Sequence, residues 1–188
     1  MTRFKGSRLK LYMFILVLLS LTPLVACGQK TPEPPPPLTV DMLKNAEYHS
    51  EWPADGVAKL TDGEYQEEMV PGAASKLIIV VYPDMYAFGD LNGDGVDDAA
   101  LVLATSGGGS GTFISLEALL NDQGRPTHVA SVPLGDRAQI QSVAIEAGEI
   151  TVDMVTHGPE DPMCCPTLEI TQKYKLEGDT LVQRSSED

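Results

Sequence analysis

The chain has 188 residues, 43% of them apolar, with 13 Lys+Arg against 27 Asp+Glu and a formal charge of −14. That length suits one domain and that apolar fraction supplies a core, so global disorder is excluded. The acidic balance disfavours nucleic acid or an anionic membrane surface as partner, because both need clustered Lys/Arg. In chain order, four of the basic residues (Arg3, Lys5, Arg8, Lys10) precede an apolar run at 11–24. A basic stretch followed by an apolar run shorter than the roughly 20 residues of a membrane-spanning helix predicts a secretory leader.

The run ends in Leu24-Val25-Ala26-Cys27, which resembles a bacterial lipobox. The resemblance implies cleavage before Cys27 and acylation of that cysteine, giving a lipoprotein signal peptide at 1–26. The leader takes four basic residues and no acid with it, so the mature chain is still more acidic. Two or more acyl chains make a stable membrane anchor. Gly28 follows the cysteine, and no aspartate retention signal stands there. The expected address is extracytoplasmic, on the cell membrane or, in a cell with two membranes, on the outer one. Residues 28–37 hold five prolines, the composition of a semi-rigid polyproline II stalk rising about 3.1 Å per residue.

From residue 38 onward a single β-rich domain is expected. Residues 38–48, with Thr39 as N-cap, form the one helix candidate. Residues 76–82 and 99–104 are continuously apolar, as strands covered on two sides are. Ile150, Val152 and Met154 alternate with polar neighbours, and so do Leu168, Ile170, Tyr174 and Leu176. Turn signals at Asp62-Gly63, Pro83-Asp84, 107–111, 121–124, Gly135-Asp136, Ala147-Gly148 and Gly178-Asp179 separate the segments. The second half of 111–121 is open to a helical reading, since Leu116, Leu119 and Leu120 fall at helical spacing. The pattern predicts a mostly β fold: an antiparallel curved sheet, sandwich or half-barrel of about eight or nine short strands, with at most one or two short helices.

The sharpest motif is Asp90-Leu91-Asn92-Gly93-Asp94-Gly95-Val96-Asp97-Asp98. Side-chain oxygens recur at positions one, three and five, glycine at six permits a sharp turn, and Val96 offers its carbonyl at seven. Calcium takes six to eight hard oxygen ligands at about 2.3–2.6 Å, which suits this set and disfavours soft metals. An EF-hand would place glutamate at position twelve, where Leu101 stands; Asp98 stands at nine instead. The spacing, with Phe88-Gly89 ahead and an apolar strand behind, resembles the calcium loops of FG-GAP and VCBS β-propeller repeats. That resemblance implies a loop joining two strands, with Asp90, Asn92, Asp94, Val96 and Asp98 as ligands and Ca²⁺ as the cofactor. It covers about twelve to fifteen residues; a propeller needs about four to eight blades, and no second copy of the loop occurs. Asp97 falls outside the ligand pattern.

The second unusual stretch runs from His157 to Pro166 and contains Cys164-Cys165. With Cys27 lipidated, the adjacent pair has four readings: a vicinal disulfide, two reduced thiols, a bridge to a partner, or a soft-metal site with Met163 and His157. The pieces AFGDLNGDGVDDAA and HGPEDPMCCPT together resemble bacterial envelope lipoproteins carrying one such loop, which implies an address and a fold rather than an activity. Residues 106–112 (SGGGSGT) lack the Lys-Ser/Thr of a phosphate loop and read as a hairpin connection. His49, His128 and His157 read as surface histidines, and Asp62, Glu64, Glu67 and Glu68 as a solvated acidic face. Tyr82, Tyr86 and Phe88 are expected beneath the aspartate loop. The function expected is a lipid-anchored calcium-binding module with a structural or ligand-binding role and no nucleic-acid partner. Its alternatives are a hydrolase using acidic residues and a thiol or soft-metal protein using Cys164 and Cys165.

Overall fold

A computed structural model describes residues 33–72 and 74–184. The leader at 1–26, Cys27 and the first part of the proline segment lie outside the described residues. No described helix is long and apolar enough to cross a membrane.

The helix candidate shrinks to one turn, α1 (Val40–Leu43), capped by Thr39, whose Oγ1 accepts the Met42 N–H at 3.3 Å. Beyond it the chain turns into β1 (Glu47–His49), which pairs antiparallel with β2 (Val57–Lys59). Two larger antiparallel sheets follow. The first takes β3 (Glu64–Glu68), β4 (Lys76–Gly89), β5 (Asp98–Ser106), β6 (Phe113–Asp122) and β7 (Arg125–Asp136) in chain order. The second orders β8 (Gln139–Glu146), β9 (Glu149–Thr156), β10 (Leu168–Glu177) and β11 (Thr180–Arg184) as β11-β10-β9-β8. The mostly β, antiparallel expectation holds, with eleven strands among the described residues and the first sheet curled into a half-barrel.

The central strand β5 explains its own composition. Ala100 and Val102 face a core shared with the second sheet, where Ile150, Val152, Met154 and Tyr174 meet them. Ala99, Leu101 and Leu103 face the other way, onto Leu38, Leu43, Tyr48 and Leu60 of the N-terminal segment. The first sheet is thus covered on both faces, by a second sheet and by a cap made of α1 and the β1–β2 hairpin. Burial of both faces turns the usual alternation into an unbroken apolar run.

Two expectations are corrected here. Residues 113–122 are strand throughout, not helix. The Leu116, Leu119, Leu120 spacing comes from a strand with both faces buried, Leu116 and Leu120 toward the inter-sheet core and Leu119 toward the cap. Pro83-Asp84 is not a chain reversal: β4 runs through it with an irregularity between Val81 and Tyr86, and Asp84 takes a left-handed φ of 57°. A true tight turn lies at Gln123-Gly124, both at positive φ (55° and 88°), as a two-residue hairpin requires.

Candidate functional site

The 90–98 loop connects β4 to β5 and is built from backbone N–H groups closing onto side-chain oxygens. Asp90 accepts the Gly93 N–H at Oδ1 (2.7 Å) and the Gly95 N–H at Oδ2 (2.9 Å). Asn92 Oδ1 accepts the Asp94 N–H (2.9 Å), and Asp94 Oδ1 accepts the Val96 N–H (2.8 Å). These are the local turns that Asn and Asp form two residues ahead. The Asn92 amide also donates to Asp94 Oδ2 (2.9 Å), so positions one, three and five are oriented within the loop itself.

Asp98 differs from the other aspartates. It is 1% exposed and accepts two distant N–H groups, Leu91 at Oδ2 and Asn121 at Oδ1, each at 2.9 Å. Leu91 is buried in the inter-sheet core, and Asn121 ends β6. One carboxylate therefore fastens the start of the loop to the β6–β7 turn. Burial pushes the Asp98 carboxyl above its ordinary value, against the lowering pull of the Asn121 and Leu91 N–H groups; the charges of Asp94 and Asp90 raise it further. Asp90 is held below the ordinary value, chiefly by the Gly95 N–H.

The donor chemistry fits a hard cation, since every candidate ligand is an oxygen and three of them are carboxylates that repel one another. The spacing is looser: among the described residues no three His, Cys, Asp or Glu side chains converge closely enough to hold a metal ion. Coordination therefore requires the Asp90, Asp94 and Asp98 oxygens to draw inward from their turn geometry. Tyr82, Tyr86 and Phe88 do not form one floor beneath the loop. Tyr82 joins the inter-sheet core that also holds Leu91, whereas Tyr86 and Phe88 pack on the N-terminal cap.

Cys164 and Cys165 are joined as a vicinal disulfide with Cα atoms 3.8 Å apart. Their loop is held by Asp161, which accepts the Gly158 N–H (2.8 Å), the Thr167 N–H (2.7 Å) and the Thr167 hydroxyl (2.8 Å). Arg137 of the β7–β8 connection donates to the Met163 carbonyl (2.9 Å) and to the Ser110 carbonyl, tying the glycine-rich connection to the cysteine loop. The Met163 side chain is 74% exposed.

A second site had no signature in the sequence. Between the β1–β2 hairpin and the outer face of β6 and β7 lies a cavity of about 350 Å³. Its floor contains Glu117, 3% exposed. Oε1 accepts the hydroxyls of Ser115 (2.5 Å) and Ser131 (3.0 Å), and Oε2 lies 2.8 Å from His128 Nε2. His128 Nδ1 accepts the backbone N–H of His49 at 3.1 Å. A backbone N–H only donates, so Nδ1 is the acceptor and Nε2 carries the proton that is donated to Glu117 Oε2. His128, read as a surface residue, is buried; His49 is exposed and His157 half-buried. Tyr48, also lining the cavity, has its hydroxyl pushed well above the ordinary range by burial and secondarily by the Glu117 charge. Cross-strand pairing sets Glu117 opposite Ser131, a juxtaposition that only strand register reveals.

Comparison with protein-family models, with curated proteins and with solved structures finds no match for this chain.

Proposed function

We propose that the chain is a lipid-anchored, extracytoplasmic calcium-binding module whose role is structural or ligand-presenting rather than catalytic. The observation that carries this reading is Asp98: a buried carboxylate, inside an all-oxygen loop, that joins the β4–β5 connection to the end of β6. A cation drawn in by Asp90, Asn92, Asp94, the Val96 carbonyl and Asp98 neutralises three mutually repelling carboxylates and locks that junction. Calcium in the millimolar range outside a cell fills even a weak site of this kind.

Binding to the native state alone stabilises it by RT ln(1 + [L]/Kd), about 2.7 kcal/mol at a hundredfold excess over Kd. The expected rise in melting temperature is roughly 5–10 °C for a domain of this size. Thermal melts in calcium and in chelator measure it. Asp94→Ala abolishes the rise, whereas Asp97→Ala keeps most of it. Equal midpoints in the two buffers, with no heat of binding, reduce the loop to a metal-free turn. The anchor is tested separately: mass spectrometry of the mature protein is expected to find an acylated N-terminal Cys27, and an intact 1–26 segment in the membrane fraction overturns it.

A further inference from the structure

Among the described residues the buried Glu117 carboxylate of this cavity has no lysine or arginine partner. Burying a carboxylate is costly unless a cation or enough donors compensate it. Three donors reach Glu117, two serine hydroxyls and a neutral imidazole, and none of them is positive. A carboxylate offers about four acceptor positions, so one on Oε2 stays open. Among the described residues no lysine or arginine lines the cavity, and a second carboxylate, the exposed Glu51, also lines it. The walls add aromatic faces: Trp52 and Phe113 lie with ring centroids 5.0 Å apart, and Phe113 is 42% exposed. Aromatic faces attract cations as well as apolar groups. The cavity lies at the small end of the roughly 300–1,000 Å³ range of small-molecule sites.

We infer that this cavity is a binding site for a small organic cation, an ammonium group with a compact apolar body, seated against the paired rings of Trp52 and Phe113 that line the cavity, with its charge directed at Glu117. Ser115, Ser131 and His128 fix the Glu117 carboxylate in place, and the cation supplies a positive partner. A neutral polyol gains the aromatic contacts but leaves the charge uncompensated, and an anion is repelled by both carboxylates. The site lies on the outer face of the first sheet and uses none of the residues of the 90–98 loop.

Trp52 is the one tryptophan of the chain, so its fluorescence reports this cavity without labelling. The full-length protein is titrated with choline, with the neutral isostere in which carbon replaces the nitrogen, and with glucose, following Trp52 emission and calorimetric heat. Choline is expected to change the emission saturably, and the isostere to bind at least about tenfold more weakly. Glu117→Gln is expected to weaken choline binding by at least about tenfold, Phe113→Ala and Glu51→Gln severalfold. Should Glu117→Gln fail to fold, as judged by its thermal melt, the two rim variants decide, because both side chains are exposed. Choline without effect on emission or heat, equal binding of the neutral isostere, preferential binding of glucose, or undiminished binding by the folded variants each overturns the assignment.

Discussion

Asp161 holds the 158–167 loop through both of its oxygens, accepting two backbone N–H groups and one hydroxyl. The Gly158 N–H first, then the Thr167 hydroxyl and N–H, hold its carboxyl below the ordinary aspartate value. A carboxyl lowered in the folded state contributes stability above the unfolded value of about 3.9, and loses it as the pH falls through the folded value. The loop around Cys164-Cys165 is therefore expected to stay ordered near pH 4 and to loosen only in stronger acid. Amide exchange at Gly158 and Thr167 measures this, and Asp161→Asn is expected to bring fast exchange at neutral pH. Exchange in the wild type that is independent of acid would remove Asp161 as the fastening. Asp98 has the opposite sign. Burial raises its carboxyl, so without a cation its ionisation opposes folding as the pH rises, which is the cost that a bound cation offsets.

At the level of strands, Gly89 shows how closely the first sheet meets the second. A Cβ at this position would lie 2.6 Å from Ile145 Cγ2 and 3.0 Å from its Cβ on β8. Ile145 branches at Cβ and cannot swing aside, so Gly89→Ala forces β4 and β8 apart. Overpacking of this kind costs about 1–3 kcal/mol, and the melting temperature is expected to fall by several degrees. Gly93→Ala, with open space around its Cβ position but a φ of 83°, isolates the separate cost of left-handed backbone; an unchanged midpoint for Gly89→Ala would contradict the contact. Strands also set what could be read from the chain. β9 and β10 were readable because one face of each is dry and the other wet, and β5 because both are dry. β6 is not, since its two buried faces imitate helical spacing. A bulge on its partner hides the Glu117 cluster: an unbroken register from the Asp122–Arg125 turn would set Glu117 against Ala130, and the extra residue Val129 on β7 sets it against Ser131. The aspartate loop, by contrast, is local, so its turns follow from nine consecutive residues.

Across the whole molecule, Asn121 makes four hydrogen bonds to three parts of the chain. Its N–H donates to Asp98 (2.9 Å), its amide nitrogen to the carbonyls of Pro36 (3.0 Å) and Asp97 (3.3 Å), and its Oδ1 accepts the Gly124 N–H (2.7 Å). Pro36 also sits against Gly124, where a Cβ would meet its ring at 3.2 Å, and Leu38 beyond it is buried in the cap core. The proline segment thus joins the domain at the β6–β7 turn, beside Asp98. If that segment leads to a lipid, the aspartate loop lies at the tethered end, and ion binding and attachment share one residue. Asn121→Ala leaves the Pro36 and Asp97 carbonyls and the Gly124 N–H without their partner, at about 1–3 kcal/mol for each group that stays buried. The variant is expected to exchange the amides of Leu38 and Thr39 faster and to bind calcium more weakly, because the β6 end that positions Asp98 is no longer braced. Hydrogen exchange and calorimetry on the same protein separate the two effects. Faster exchange with unchanged calcium affinity would mean that Asn121 braces the tether alone, and slow exchange with weakened affinity that it serves the loop alone.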